Sequence, residues 1–143
     1  VLRHFADDQK TDVLREIVAP VSQAQVQDAR EGDGPTPVHS AFHVFASLLN
    51  PGKSLKHTYK PTLRGDGPKL FYAQLVQTSG YNTAAAPKDA SKGALVKLSS
   101  GDNQVTLGEG DGVFVRGGET GDGIDIENVG QLRGELVFFE MDG

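Results

Sequence analysis

The feature that most constrains this chain is its punctuation. Turn residues, chiefly Gly, Asp, Asn and Pro, recur about every ten residues, and the runs between them are short and rich in Val, Leu, Ile and Phe. Apolar residues at helical spacing are hard to find beyond the first 20 residues. A chain of 143 residues with 18 glycines and 7 prolines arranged this way predicts one all-β domain, an antiparallel sandwich or barrel of the jelly-roll type. Its length suffices to bury a core without disulfides or a structural metal.

Residues 1–12 read as a polar lead-in with one helical turn, and residues 13–143 as the single barrel domain. A first strand is expected at 13–18, stopped by Pro20, followed by a turn-rich polar loop at 22–37. Residues 38–49 form the longest clean alternation, apolar on both faces as in a central strand. The turn Asn50-Pro51-Gly52 ends it. In the next strand Leu55, His57 and Tyr59 share one face, while Lys56 and Thr58 share the other. A strand is expected at 70–77 and a loop at 80–93, where Pro87 prevents Ala84-Ala85-Ala86 from continuing as a helix. Short strands follow at 95–98, 104–107, 113–115, 124–127 and 135–139.

Charge and composition exclude several classes of function. The formal net charge is −5, with both signs interleaved and no basic stripe to follow a phosphate backbone, so nucleic acid is not an expected partner. The absence of cysteine rules out disulfides, thiolate metal sites and cysteine nucleophiles. No run approaches the roughly 20 apolar residues of a membrane span, and no signal-peptide pattern opens the chain. The start at Val1, in mid-pattern and without a methionine, suggests a processed product or a piece of a longer polypeptide.

Three motifs reduce to turns. Arg64-Gly65-Asp66 matches an adhesion tripeptide, but three residues in a Gly-rich turn recur by chance. Gly117-Gly118 with Gly121 and Gly123 has neither a following helix nor a Lys-Ser/Thr pair, so it reads as a hairpin turn and not as a phosphate cradle. Asp111, Asp122, Asp125 and Glu127 do not keep calcium-loop spacing.

The stretch Leu107-Gly108-Glu109-Gly110-Asp111-Gly112-Val113-Phe114-Val115-Arg116, followed by Ile126-Glu127-Asn128 and a closing Leu136-Val137-Phe138-Phe139 strand, resembles a cupin domain. More narrowly it is similar to the C-terminal cupin of pirin-like proteins, two-cupin proteins of which some are described as quercetin 2,3-dioxygenases. The resemblance implies a metal-bearing N-terminal cupin as partner, a cytoplasmic location, and a C-terminal cupin without metal. A working cupin site presents a His-x-His pair, a Glu, and a further His after a Pro-x-Gly turn, ligands suited to Fe, Ni, Mn or Cu(II). Here His57 matches the first histidine, but Tyr59 falls on the second, the Glu has no clear counterpart in residues 60–64, and no histidine follows His57. His39 and His43 share a strand face about 13 Å apart, too far for one ion, and His4 lies in the polar lead-in.

The expectation is therefore a metal-free, cofactor-free, non-catalytic cupin-type domain. Its role is structural, through an N-terminal cupin, a second copy or a protein partner. Two other readings stand beside it: part of a metal-dependent dioxygenase-like enzyme, and a barrel holding a small aromatic ligand against His57, Tyr59, Phe71 and Phe114.

Overall fold

The computed structural model describes residues 3–23, 25–63, 65, 67–79 and 92–143. Arg64 and Asp66, and with them the tripeptide they frame, lie outside the described residues, as does most of the expected loop at 80–93 with its Ala84-Ala85-Ala86-Pro87 segment. Among the described residues a 3-10 turn at Asp7–Gln9 precedes ten strands: β1 (Arg15–Pro20), β2 (Thr36–Val38), β3 (Phe42–Leu49), β4 (Ser54–Thr58), β5 (Lys69–Leu75), β6 (Leu95–Ser100), β7 (Asn103–Gly108), β8 (Gly112–Gly118), β9 (Gly123–Asn128) and β10 (Gly134–Asp142). They form a six-stranded sheet in the order β2-β1-β3-β10-β5-β8 and a four-stranded sheet in the order β4-β9-β6-β7. This is the expected all-β, cupin-type jelly-roll sandwich.

The core lies between the two sheets because each strand turns alternate apolar residues inward. Phe45 and Leu49 of β3, Phe71, Ala73 and Leu75 of β5, and Leu136 and Phe138 of β10 face Val96, Leu98, Ile124 and Ile126 of the smaller sheet. Gly101, at φ 56°, closes the two-residue hairpin between β6 and β7.

Three expectations need correction. The alternation at 38–49 is not one strand: Val38 ends β2, the Phe42 N–H donates to the Ser40 carbonyl, and β3 begins afresh at Phe42. β2 begins in the last two residues of the expected loop and pairs in parallel with β1, setting Val18 opposite Thr36 and Pro20 opposite Val38. Three residues containing a proline carry no readable alternation, and their partner strand is distant in sequence. The turn after Gly118 is not a hairpin. β8 pairs with β5 and β9 with β4 and β6, so residues 119–122 carry the chain from one sheet to the other.

Polar side chains organise the connections. The Arg3 guanidinium donates to five backbone carbonyls, those of Gln27, Ala29, Asp33, Gly34 and Pro35, at 2.7–3.3 Å. The lead-in thus orders the long polar loop. Asp12 accepts from the Asn50 backbone N–H and side-chain amide at 2.8 and 3.0 Å, and its own N–H donates to the Leu48 carbonyl. Asn128 is fully buried; its amide donates to the Leu49 and Leu132 carbonyls at 2.8 and 2.9 Å, and its oxygen accepts from Gly130 N–H. Glu109, also buried, accepts from the backbone N–H groups of Thr78, Ser79 and Ala94 and from the hydroxyls of Thr78 and Ser79. Burial works against its charge, but these donors outweigh it and hold the carboxyl below the ordinary glutamate value of 4.5.

Two outcomes follow. Asn128→Ala removes the buried donor to the Leu49 carbonyl, the part-buried one to the Leu132 carbonyl and the acceptor for Gly130 N–H, and should cost about 2–3 kcal/mol in urea unfolding. Because the folded-state pKa of Glu109 is depressed, its contribution is complete above 4.5 and is lost as pH falls through the lower folded value. Glu109→Gln should therefore flatten the acid limb of thermal melts recorded from neutral pH to about pH 3.

Candidate functional site

His57 sits where the resemblance places the first metal ligand. Its strand parity turns it inward from β4, and the opposite residue on β9 is Ile124. Its Nε2 lies 2.6 Å from Oε2 of Glu140, which β10 presents from the opposite sheet; both side chains are essentially inaccessible to solvent. A carboxylate is acceptor-only, so the Nε2–H of His57 donates. The other oxygen of Glu140 accepts the Lys60 backbone N–H at 2.7 Å and lies 3.5 Å from the Lys69 ammonium.

Lys69 opens β5 and is itself buried. Its Nζ donates to Asp142 Oδ1 at 2.5 Å and to the Pro61 carbonyl at 3.4 Å, and Asp142 Oδ2 accepts the Leu63 N–H. The register explains this polar end. Antiparallel pairing sets Leu136 against Leu75 at one end of the β5–β10 ladder and Asp142 against Lys69 at the other, so the inward face changes from apolar to charged along the strands.

A second histidine–carboxylate pair stands beside the first. His43 of β3 is buried with Nδ1 2.7 Å from Oε1 of Glu16, whose other oxygen is 3.6 Å from the Lys60 ammonium. Phe45 separates the pairs, with ring centroids 6.2 Å from His43 and 4.8 Å from His57. Phe71 stacks on His57 at 5.4 Å and Tyr59 meets it edge-on at 5.8 Å. A Cβ on Gly118 would stand 2.0 Å from the Tyr59 ring, so only glycine lets the phenol settle there. Burial, then the charges of Glu140 and Asp122, push the Tyr59 phenol up to about 12, which keeps it protonated across the physiological range.

Of the four residues expected to form a ligand pocket, His57, Tyr59 and Phe71 lie together. Phe114 does not join them. On β8 the inward residues are Val113 and Val115, which pack against the core, whereas Phe114 contacts Tyr72 on the outer side at 6.1 Å and is 50% exposed. His39 and His4 lie on the surface, away from the interior pairs. Sequence reading missed Glu140, Lys69, Asp142 and Glu16. The available signal was parity, since Glu140 follows Leu136 and Phe138, and Lys69 precedes Phe71, Ala73 and Leu75, in alternate positions.

These residues do not fit a cupin metal. Among the described residues no three His, Cys, Asp or Glu side chains group as an ion requires. The single carboxylate beside His57 already takes three donors, one of them a lysine ammonium. Nor does the pair suit general-base catalysis, which needs the imidazole within reach of a substrate; here aromatic rings and the opposite sheet enclose it. What it does is join the two sheets through a buried hydrogen bond, with Lys69 paired to Glu140 and Asp142 within the larger sheet. Lys69→Met should destabilise the fold by about 3–5 kcal/mol, because the buried Glu140 then loses its ammonium partner and Asp142 loses the same donor. The double variant Lys69→Met/Glu140→Gln should recover part of that loss in urea unfolding.

No family model matches the chain, and no curated protein matches it. Among solved structures, the plu4264 protein of Photorhabdus luminescens superposes with a TM-score of 0.52 at 10% identity, covering 99% of this chain and 88% of that one. A Cupin_2 domain of an XRE-family transcriptional regulator from Enterobacter cloacae overlaps with a TM-score of 0.48 at 13% identity, covering 72% of this chain and 83% of that one. A Cupin 2 conserved barrel domain protein from Salinispora arenicola gives 0.47 at 14% identity, over 80% and 74% respectively. Likeness at these identities concerns the fold alone, and the fold is a cupin-type jelly roll.

Proposed function

We propose that the chain is a metal-independent, non-catalytic cupin-type domain that works by association, as the resemblance to the C-terminal cupin of pirin-like proteins implies. One observation carries this reading: the interior position of His57 is taken up by the Glu140–Lys69–Asp142 network, with an ammonium group as its cation. The same resemblance makes the cytoplasm the expected compartment.

The partner proposed is a second cupin barrel, either a metal-bearing N-terminal cupin or another copy. The outer face of the six-stranded sheet supports it. Phe42 stacks on Phe139 at 5.9 Å, and Phe139 meets Tyr72 at 6.0 Å, so an aromatic row crosses β3, β10 and β5 with Val137, Leu70 and Met141 beside it, all half-buried. Six strands at about 4.8 Å spacing and about seven residues long give a face on the order of 650 Å², near the roughly 800 Å² per partner of a standard interface.

The test is elemental analysis of transition metals in the untagged chain, purified without chelator beside His57→Ala. Stoichiometry near zero in both is the expected result. Close to one metal per chain, lost in the variant, would overturn the reading and favour the dioxygenase-like alternative.

A further inference from the structure

β7 and β8 are each the last strand of their sheet, and the sandwich is open between them. The opening is a cleft of about 320 Å³. Leu98 and Ile124, both buried, form its floor with Val113 and Val115, and its rim carries Val105, Phe114 and Arg116. Val105 and Phe114, 37% and 50% exposed, are among the large apolar side chains that the fold leaves in water.

The charge of the cleft opposes that of the whole molecule. The chain carries a net −5, yet no Asp or Glu lines the cleft, and Arg116 is the only charged residue in its lining. The Arg116 guanidinium lies 5.5 Å from the Phe114 ring centroid and has no carboxylate partner among the described residues. An apolar floor with one convergent charged group is how small-molecule sites combine burial with orientation. A guanidinium is matched in geometry by a carboxylate. At about 30 Å³ per water-sized group, the volume suits on the order of ten non-hydrogen atoms.

We propose that this cleft is a binding site for a compact apolar monocarboxylate, its hydrocarbon body between Val105, Phe114 and the floor and its carboxylate on Arg116. The ligand needs no metal, and the site is separate from the His57 network; through Phe114, which meets Tyr72, its rim adjoins the aromatic row of Phe42 and Phe139. Phe114, set apart from His57 and Tyr59 by its strand face, finds its role here.

The test titrates the full 15N-labelled chain with 3-phenylpropionate, 3-phenylpropanol and 3-phenylpropylamine. The acid should saturably shift the amides of residues 98–105 and 113–116, with the alcohol and amine about tenfold weaker. Arg116→Gln should bring the acid down to the level of the alcohol while leaving the alcohol unchanged. Val105→Asp, at an exposed position that keeps the spectrum of the folded chain, should abolish acid binding. Equal binding of acid and alcohol, indifference of the acid to Arg116→Gln, shifts confined to other residues, or no shift up to the solubility limit would each overturn the site.

Discussion

A carboxylate placed where water cannot reach is the constraint on which this interior turns. Removing Glu140 from water costs several kcal/mol, and low polarity repays that only when every lone pair finds a donor in good geometry. Here the donors come from three directions: an imidazole on the opposite sheet, a backbone amide just beyond β4, and an ammonium on the neighbouring strand. The network is thus a condition on how the sheets sit. A shift of one against the other by a single residue would break the contact with His57, and a one-residue slip between β5 and β10 would turn Lys69 away from Asp142.

The aromatic enclosure around His57 follows from the same requirement. Phe45 and Phe71 exclude water from the His57–Glu140 hydrogen bond, while Gly118 makes room for Tyr59 at the polar end. The fold turns His57 inward and surrounds it with residues that complete its hydrogen bond and close its approaches. Openness has moved to the other side of the sandwich, between β7 and β8, where the walls are apolar and the local charge is positive. Burial and access have been separated in this barrel.

Much of the architecture was legible because a half-buried strand writes its parity into sequence. The strands containing His57, Phe71 and Ile126 could be read from alternation and turns, and the inward set Leu55, His57 and Tyr59 could be named directly. What stayed illegible depends on partners distant along the chain. β2 is recognisable only through β1, and Glu140 gains meaning only when β10 is extended past Phe139 and laid beside β5. Phe114 shows the limit most plainly: its neighbours Val113 and Val115 are as apolar as it is, so periodicity alone does not say which parity faces in. The larger aromatic suggests the wrong one.

The placement of β10 bears on how the molecule assembles in time. This strand comes after all the others in chain order, yet it lies third from the β8 edge of its sheet, between β3 and β5, and so pairs residues 42–49 with residues 134–141. Loop closure on that scale is entropically expensive, and topologies dominated by such pairings fold slowly. Until β10 inserts, β3 and β5 both present open backbone edges, and Glu140 is not yet there to meet His57 and Lys69. Without β10 the larger sheet is two half-sheets with open margins, edges of the kind that pair with other chains. The strand that brings in the charge network also seals the sheet.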